Sequence, residues 1–138
     1  MTKKGKGDLA ELKVACDLVA RGYMIAFPYG EDNDFDLIVL RGQKTERVQV
    51  KYSGSDNGVI RIECRSRVLT NGRVMRTKRY TSEMIDWLAV YHPRTDRCFY
   101  VPADELGAGR SSIHLRLSPT RNGQAEGIHY AEDYASLS

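Results

Sequence analysis

Apolar residues near the start of the chain fall at helical spacing. Leu9, Leu12, Cys16 and Val19 recur in this way, with Ala15 in the same stripe, and predict a helix from about Gly7 to Ala20. Asp8 falls in the first turn of that helix, where a negative charge suits the dipole, and Gly22 is its natural stop. Glu11 sits on the flank of the stripe, with Ala15 and Leu18 following at i+4 and i+7, so its carboxylate looks toward whatever the helix packs on. After it the pattern shortens to strands. Tyr23 to Phe27 is one, closed by Pro28-Tyr29-Gly30, and the acidic turn Glu31-Asp32-Asn33-Asp34 follows. Two further strands, Asp34 to Leu40 and Arg47 to Lys51, are joined by the turn-rich piece Arg41 to Glu46.

Val59 to Cys64 alternates, with Ile60, Ile62 and Cys64 on one face and Arg61, Glu63 and Arg65 on the other. Asn71-Gly72, between Val68-Leu69 and Val74-Met75, marks a hairpin or arm over Arg67 to Arg79. Thr81 to Asp86 is a capped turn leading into the strand Trp87 to Tyr91. A turn at His92 to Asp96 and a strand at Cys98 to Val101 come next, followed by a short helix from Pro102 to Leu106. Ile113 to Leu117 reads as an edge strand, Ser118 to Ile128 as a polar loop and His129 to Leu137 as a last short helix. The order defines an α/β fold, a central mixed β-sheet flanked by helices, and the 138 residues suit one domain spanning 1–138.

Composition narrows the class. A hydrophobic fraction of 41% supports a core and argues against disorder, while no window approaches the ~18 consecutive apolar residues of a membrane span. The basic start of the chain has no apolar stretch behind it, so no secretory signal is expected. The odd and scattered Cys16, Cys64 and Cys98 suit a reducing cytosol and small core positions, not a disulfide framework or a zinc knuckle. His92, His114 and His129 have no partner at metal-ligand spacing and read as surface or turn residues. Trp87, Tyr91 and Tyr100 suit core or subunit-interface packing.

The net charge of +3 is small but unevenly placed. Between Asn57 and Tyr80, Arg61, Arg65, Arg67, Arg73, Arg76, Lys78 and Arg79 stand against Glu63 alone, leaving the rest of the chain net acidic. Such a segment is the footprint of a phosphate-backbone binder. Arg61, Arg65 and Arg67 are expected on the polar face of one strand, with the other four in or after the adjoining arm, and a two-stranded ribbon fits the major groove of B-DNA. Most of these contacts are expected to reach phosphates. Lys3, Lys4 and Lys6 read as a solubilising tail, or else as a second, disordered phosphate arm.

The chemistry concentrates in Glu11, Asp36, Gln49 and Lys51. Gln49 and Lys51 flank Val50 and therefore point to one face of their strand, which sets an amide and an ammonium beside the carboxylate of Asp36 on the neighbouring strand. Breaking a phosphodiester needs a cation at the scissile phosphate, an activated water and help for the charge on the phosphoryl oxygens. Mg²⁺ takes hard oxygen ligands and keeps several waters. Asp36, Glu11, the amide oxygen of Gln49 and the backbone carbonyl of Val50 are the candidate ligands, with Mn²⁺ as a substitute ion. Lys51 is the candidate for orienting the water or stabilising the pentacovalent oxygens. The competing reading is an ordinary cross-strand ion pair between Asp36 and Lys51. Glu11 at the same place and the basic segment close behind weigh against it.

This order of a helical Glu11, then Asp36, then Gln49-Val50-Lys51 resembles the PD-(D/E)XK nuclease superfamily. Gly7-Asp8-Leu9-Ala10-Glu11, Arg21-Gly22-Tyr23, Pro28-Tyr29-Gly30, Phe35-Asp36-Leu37 and Val48-Gln49-Val50-Lys51 are similar to the branch containing a cyanobacterial group I intron-encoded homing endonuclease. The run from Tyr80 through Ile85-Asp86 to Phe99-Tyr100-Val101-Pro102 is similar to it as well. The resemblance implies a restriction-endonuclease-like core, Mg²⁺-dependent double-strand cleavage of DNA, a homodimer or homotetramer, and a cytoplasmic, nucleoid-associated location with no membrane partner. Gln49 stands where most of the superfamily has Glu or Asp, and Asp34-Phe35-Asp36 lacks the motif's Pro. A Holliday-junction resolvase and a catalytically silent DNA-binding module remain alternatives.

Overall fold

A computed structural model describes residues 1–30, 33–70, 73–118 and 127–138; the side chains of 67–70, 74 and 75 are not among those described. The expected Glu31-Asp32 turn, the Asn71-Gly72 turn and most of the polar loop after Ser118 therefore lie outside the described residues.

The first element, α1 (Lys3–Ala20), begins four residues earlier than its hydrophobic pattern suggests. Thr2 caps it by accepting the Gly5 N–H, so Lys3, Lys4 and Lys6 form the first turn of a helix and are not a loose tail. Asp8 thereby moves into the second turn, where it pairs with Lys4 at 2.9 Å. The buried stripe is also different from the expected one. Ala10, Val14, Ala15 and Leu18 face the core, while Leu12, Cys16 and Val19 are exposed. Glu11 lies between the buried positions and is half-buried. Gly22, with φ of +94°, turns the chain out of the helix.

The chain then forms β1 (Met24–Ala26), β2 (Leu37–Arg41), β3 (Lys44–Tyr52), β4 (Val59–Glu63), β5 (Arg65–Thr70), β6 (Arg73–Arg79), β7 (Trp87–His92), β8 (Arg97–Pro102), β9 (Ser112–Arg116) and β10 (His129–Tyr130). The piece expected as a long turn at 41–46 is strand almost throughout, since Arg41 pairs with Lys44 and only Gly42-Gln43 turn. Five strands make the central sheet in the order β1-β2-β3-β7-β8. The β3–β7 pair is parallel and the other neighbours are antiparallel, so the sheet is mixed as expected. A second sheet, β10-β9-β4, and a hairpin, β5–β6, complete the strands.

The layers follow from alternation. Val48, Val50, Trp87, Ala89 and Tyr91 face α1 and pack with Ala10, Val14 and Leu18. Leu88 and Val90 face the opposite way, onto Ile60, Ile62, Ile113 and Leu115 of the second sheet. Because β7 feeds both cores, all six of its residues are buried, which is why it reads as a continuous apolar run. One α-helix, not several, covers the central sheet among the described residues, and the small sheet takes the place of the expected helical layer. β9 is the middle strand of its sheet and not an edge. The expected terminal helix is β10 followed by a 3₁₀ turn at Ala131–Tyr134. A second 3₁₀ turn, Ala103–Leu106, has Pro102 at its N-cap.

His92 is buried, not a surface residue. Its Nε2 bonds the Ser55 carbonyl at 2.6 Å and its Nδ1 bonds Thr95 Oγ1, pinning the loop after β3 to the β7–β8 turn. Cys64 and Cys98 are core residues, and burial pushes their thiols up to about 11 and about 12.

The two stripes of α1 are separable by mutation. Leu18→Ala removes a side chain with no exposed surface and is expected to cost about 2–5 kcal/mol. Leu12→Ala, at a position 65% exposed, is expected to stay within about 0.5 kcal/mol in the monomer. Urea unfolding midpoints check both.

Candidate active site

The strands β2 and β3 pair up to Leu37 opposite Val48 and then part. At that point Asp36 continues the ladder by other means. Its N–H donates to the Val48 carbonyl at 2.8 Å, and its Oδ2 accepts the Val50 N–H at 2.9 Å. A carboxylate thus closes the open edge of β3 where a strand partner would stand. It is fixed against Gln49-Val50-Lys51 by one backbone and one side-chain bond.

Gln49 and Lys51 leave β3 on the face opposite α1, as alternation requires. Gln49 is 9% exposed; its Nε2 donates to the Val50 carbonyl at 3.3 Å, which directs Oε1 away from that bond. Lys51 Nζ donates to the Arg65 carbonyl at 3.2 Å and lies 5.2 Å from the centre of the Tyr80 ring. Glu11 reaches the same neighbourhood from α1, near enough that its charge and that of Asp36 are coupled. The four residues singled out in the sequence are therefore gathered around the parting of β2 and β3.

The electrostatics are unbalanced. Glu11 is raised above the usual carboxylate range, first by burial and then by repulsion from Asp36. Asp36 is also raised by burial, against the opposing pull of the Val50 N–H and the Lys51 ammonium. Burial lowers Lys51 despite its carboxylate neighbours. Burial thus makes the charged form of both carboxyls less favourable than in water, and a nearby cation would offset that cost. With the Gln49 amide oxygen and the Val50 carbonyl nearby, every donor is a hard oxygen. That set fits Mg²⁺ or Mn²⁺ and does not suit a softer ion. Among the described residues no cluster of three or more His, Cys, Asp or Glu side chains is present, so any ion here must complete its shell with neutral oxygens and water.

The basic segment divides at Cys64. Its N–H bonds Ser111 O at 3.0 Å and its carbonyl accepts the Tyr80 N–H at 3.0 Å, so the chain leaves the small sheet there and enters the hairpin. Arg61 consequently lies on β4, and Arg65 and Arg67 lie on β5; the three do not share one strand face as expected. Arg65 stands opposite Arg79. Arg73, Arg76 and Arg79 are exposed, and the side chain of Arg67 is outside those described. Lys78 is held by Asp34 at 2.7 Å, two residues before Asp36.

Two residues that the sequence reading named but did not place at the site stand next to it. Tyr80 is 4% exposed and lies against Lys51. Asp34 ties the hairpin to the loop that carries Asp36. Both depend on contacts across 29 or more residues of sequence, and no local signal marked them.

A mixed sheet that opens at an Asp, facing Gln-Val-Lys on the next strand, with a helical Glu, is the framework of a nuclease core. The family model for PD-(D/E)XK endonuclease matches residues 1–137, and the chain belongs to that family, whose members act on DNA. The fold is similar to that of the bacterial homing endonuclease I-Ssp6803I. The two share 23% sequence identity over 97% of this chain and 88% of the other, with a TM-score of 0.77. A search of curated proteins found no match.

The charge imbalance has a measurable consequence. A carboxyl whose folded pKa lies above its unfolded value binds its proton more tightly when folded. Its ionised form therefore costs stability above the folded pKa, and that cost disappears as pH falls through it. Glu11→Gln and Asp36→Asn are expected to raise the thermal midpoint of the metal-free protein at neutral pH and to lose that advantage in acid. Mg²⁺ is expected to raise the midpoint of the wild type and not of either variant. Differential scanning fluorimetry across pH, with and without Mg²⁺, checks each part.

Proposed function

We propose that the chain is a divalent-metal-dependent endodeoxyribonuclease that hydrolyses phosphodiester bonds in double-stranded DNA at a specific sequence, in the manner of a homing endonuclease. The observation that carries this reading is the Asp36 carboxylate bonded to the Val50 N–H, which sets it beside the Gln49 amide and the Lys51 ammonium. Asp36, Glu11, the Gln49 amide oxygen and the Val50 carbonyl would hold the ion. When bound, a hard divalent cation screens the scissile phosphate and lowers the pKa of its water.

The chain's own groups do the rest. Lys51, held at the mouth of the site by the Arg65 carbonyl and the Tyr80 ring, has three N–H donors and can pass one to a non-bridging phosphoryl oxygen as charge gathers there. Arg73, Arg76 and Arg79, exposed along β6, would supply phosphate contacts. One such site cuts one strand, so a duplex cut calls for a homodimer or homotetramer. The exposed apolar stripe of Leu12, Cys16 and Val19 on α1, close to exposed Met24 and Phe27, supports contact between copies.

Incubation with supercoiled plasmid, linear duplex and a synthetic four-way junction, with and without Mg²⁺, tests the reading. Mg²⁺-dependent cutting of a discrete duplex site is the expected result. Preferential cutting of the junction would select a resolvase, and binding without cutting would select a silent DNA-binding module. Asp36→Asn and Lys51→Ala are expected to lower cleavage by about 10²–10³-fold or more while binding persists. Gln49→Glu is expected to retain cleavage and to bind Mg²⁺ more tightly, as seen by titration calorimetry.

A further inference from the structure

The small sheet turns one face inward and one outward. On β9, Ile113 and Leu115 are buried, so Ser112, His114 and Arg116 alternate onto the outer face. On β4, Ile60 and Ile62 are buried and Arg61 faces out, paired in register with His114. A groove of about 390 Å³ runs across this face, lined by Val59, Arg110, Ser112, His114, Arg116 and His129 among others, with no carboxylate among its described lining residues. Two described acids stand next to it: Glu63, taken up by Arg61 at 3.4 Å and Arg65 at 3.3 Å, and Glu105, 3.7 Å from His129 Nδ1 and bonded by the Tyr134 hydroxyl.

The groove is continuous with the hairpin. Gly109 has φ of +126°, and a Cβ there would stand 3.1 Å from Arg79 Cβ, so only glycine lets the loop before β9 close on the end of β6. Arg110 follows directly and is close enough for its charge to be felt at buried Cys64, where the hairpin begins. A line of donors therefore runs from Arg79 through Arg110 and Ser112 to His114 and Arg116.

We propose that this outer face is a second phosphate-backbone contact surface, which holds the duplex flanking the cut after it leaves the β5–β6 hairpin. The proposal rests on the reading of the chain as a DNA endonuclease. Its chemistry suits a polyanion. Guanidinium groups take phosphate oxygens in pairs, and a hydroxyl and an imidazole N–H donate between them. A second copy of the chain suits it poorly, because a two-fold contact would set cations against cations.

The test measures binding of the full chain to an arbitrary 60-base-pair duplex, without divalent ions, as NaCl is varied. Arg110→Gln/Arg116→Gln is expected to flatten the slope of log K against log [NaCl] by about 2, and His114→Gln to weaken binding in the same direction. Lys44→Gln/Arg94→Gln, a pair carrying the same loss of charge on other surfaces, is expected to change the slope far less. Thermal midpoints confirm that each variant is folded. A groove pair that behaves like the Lys44/Arg94 pair overturns the proposal. So does an unchanged slope with an altered mass by light scattering, which would make the face a contact between copies. In both cases, a slope flattened by Arg73→Gln/Arg76→Gln and persistent Mg²⁺-dependent cleavage leave the nuclease reading standing. A wild type that neither binds nor cuts duplex overturns both.

Discussion

Where β2 stops pairing with β3, the Val50 N–H has lost its strand partner and the Asp36 carboxylate accepts it at 2.9 Å. A buried amide without an acceptor costs roughly 1–3 kcal/mol, so the bond is a structural demand as well as a placement of charge. The same parting of the strands opens the β3 edge that bears Gln49 and Lys51. α1, laid over Val48 and Val50, brings Glu11 to that edge from the other side. The early end of the ladder thus sets where the Asp36 carboxylate stands against Gln49-Val50-Lys51.

This site is tied to the basic hairpin by three contacts of different kinds. Lys51 donates to the carbonyl of Arg65 in the first residue of β5. Tyr80, just past β6, lies against the same ammonium. Lys78 of β6 pairs with Asp34 ahead of Asp36. The Lys51 ammonium and the loop ahead of Asp36 are thus both joined to the hairpin through side chains.

Much of this was legible in the chain because its decisive signals are local. Strand alternation alone puts Gln49 and Lys51 on one face, and the Asp36 and Val50 strands are neighbours in sequence. The helix was harder. It has apolar residues on two sides: Leu12, Cys16 and Val19 fit helical spacing, but so do Ala10, Val14 and Leu18, and the sheet covers the second set. The split of the arginines at Cys64 was invisible for a different reason. Alternation runs unbroken from Ile60 to Arg65, and only bonds to Ser111 and Tyr80, far along the chain, turn the backbone there. The final third carries short strands whose pairing is non-local, so β9 looked like an edge and β10 like part of a helix.

Gln49 is the position where burial and charge bear most directly on each other. The side chain is 9% exposed and next along the strand to Val50, whose N–H is bonded by Asp36, a carboxyl that burial raises. Glu11, raised by burial and by Asp36, is close by. A third carboxylate at 49 would have to be taken out of water and held against two like charges whenever no cation is present. An amide offers the same kind of oxygen donor without that cost, and its nitrogen finds the Val50 carbonyl at 3.3 Å. At this depth an amide therefore carries a smaller desolvation cost than a carboxylate would.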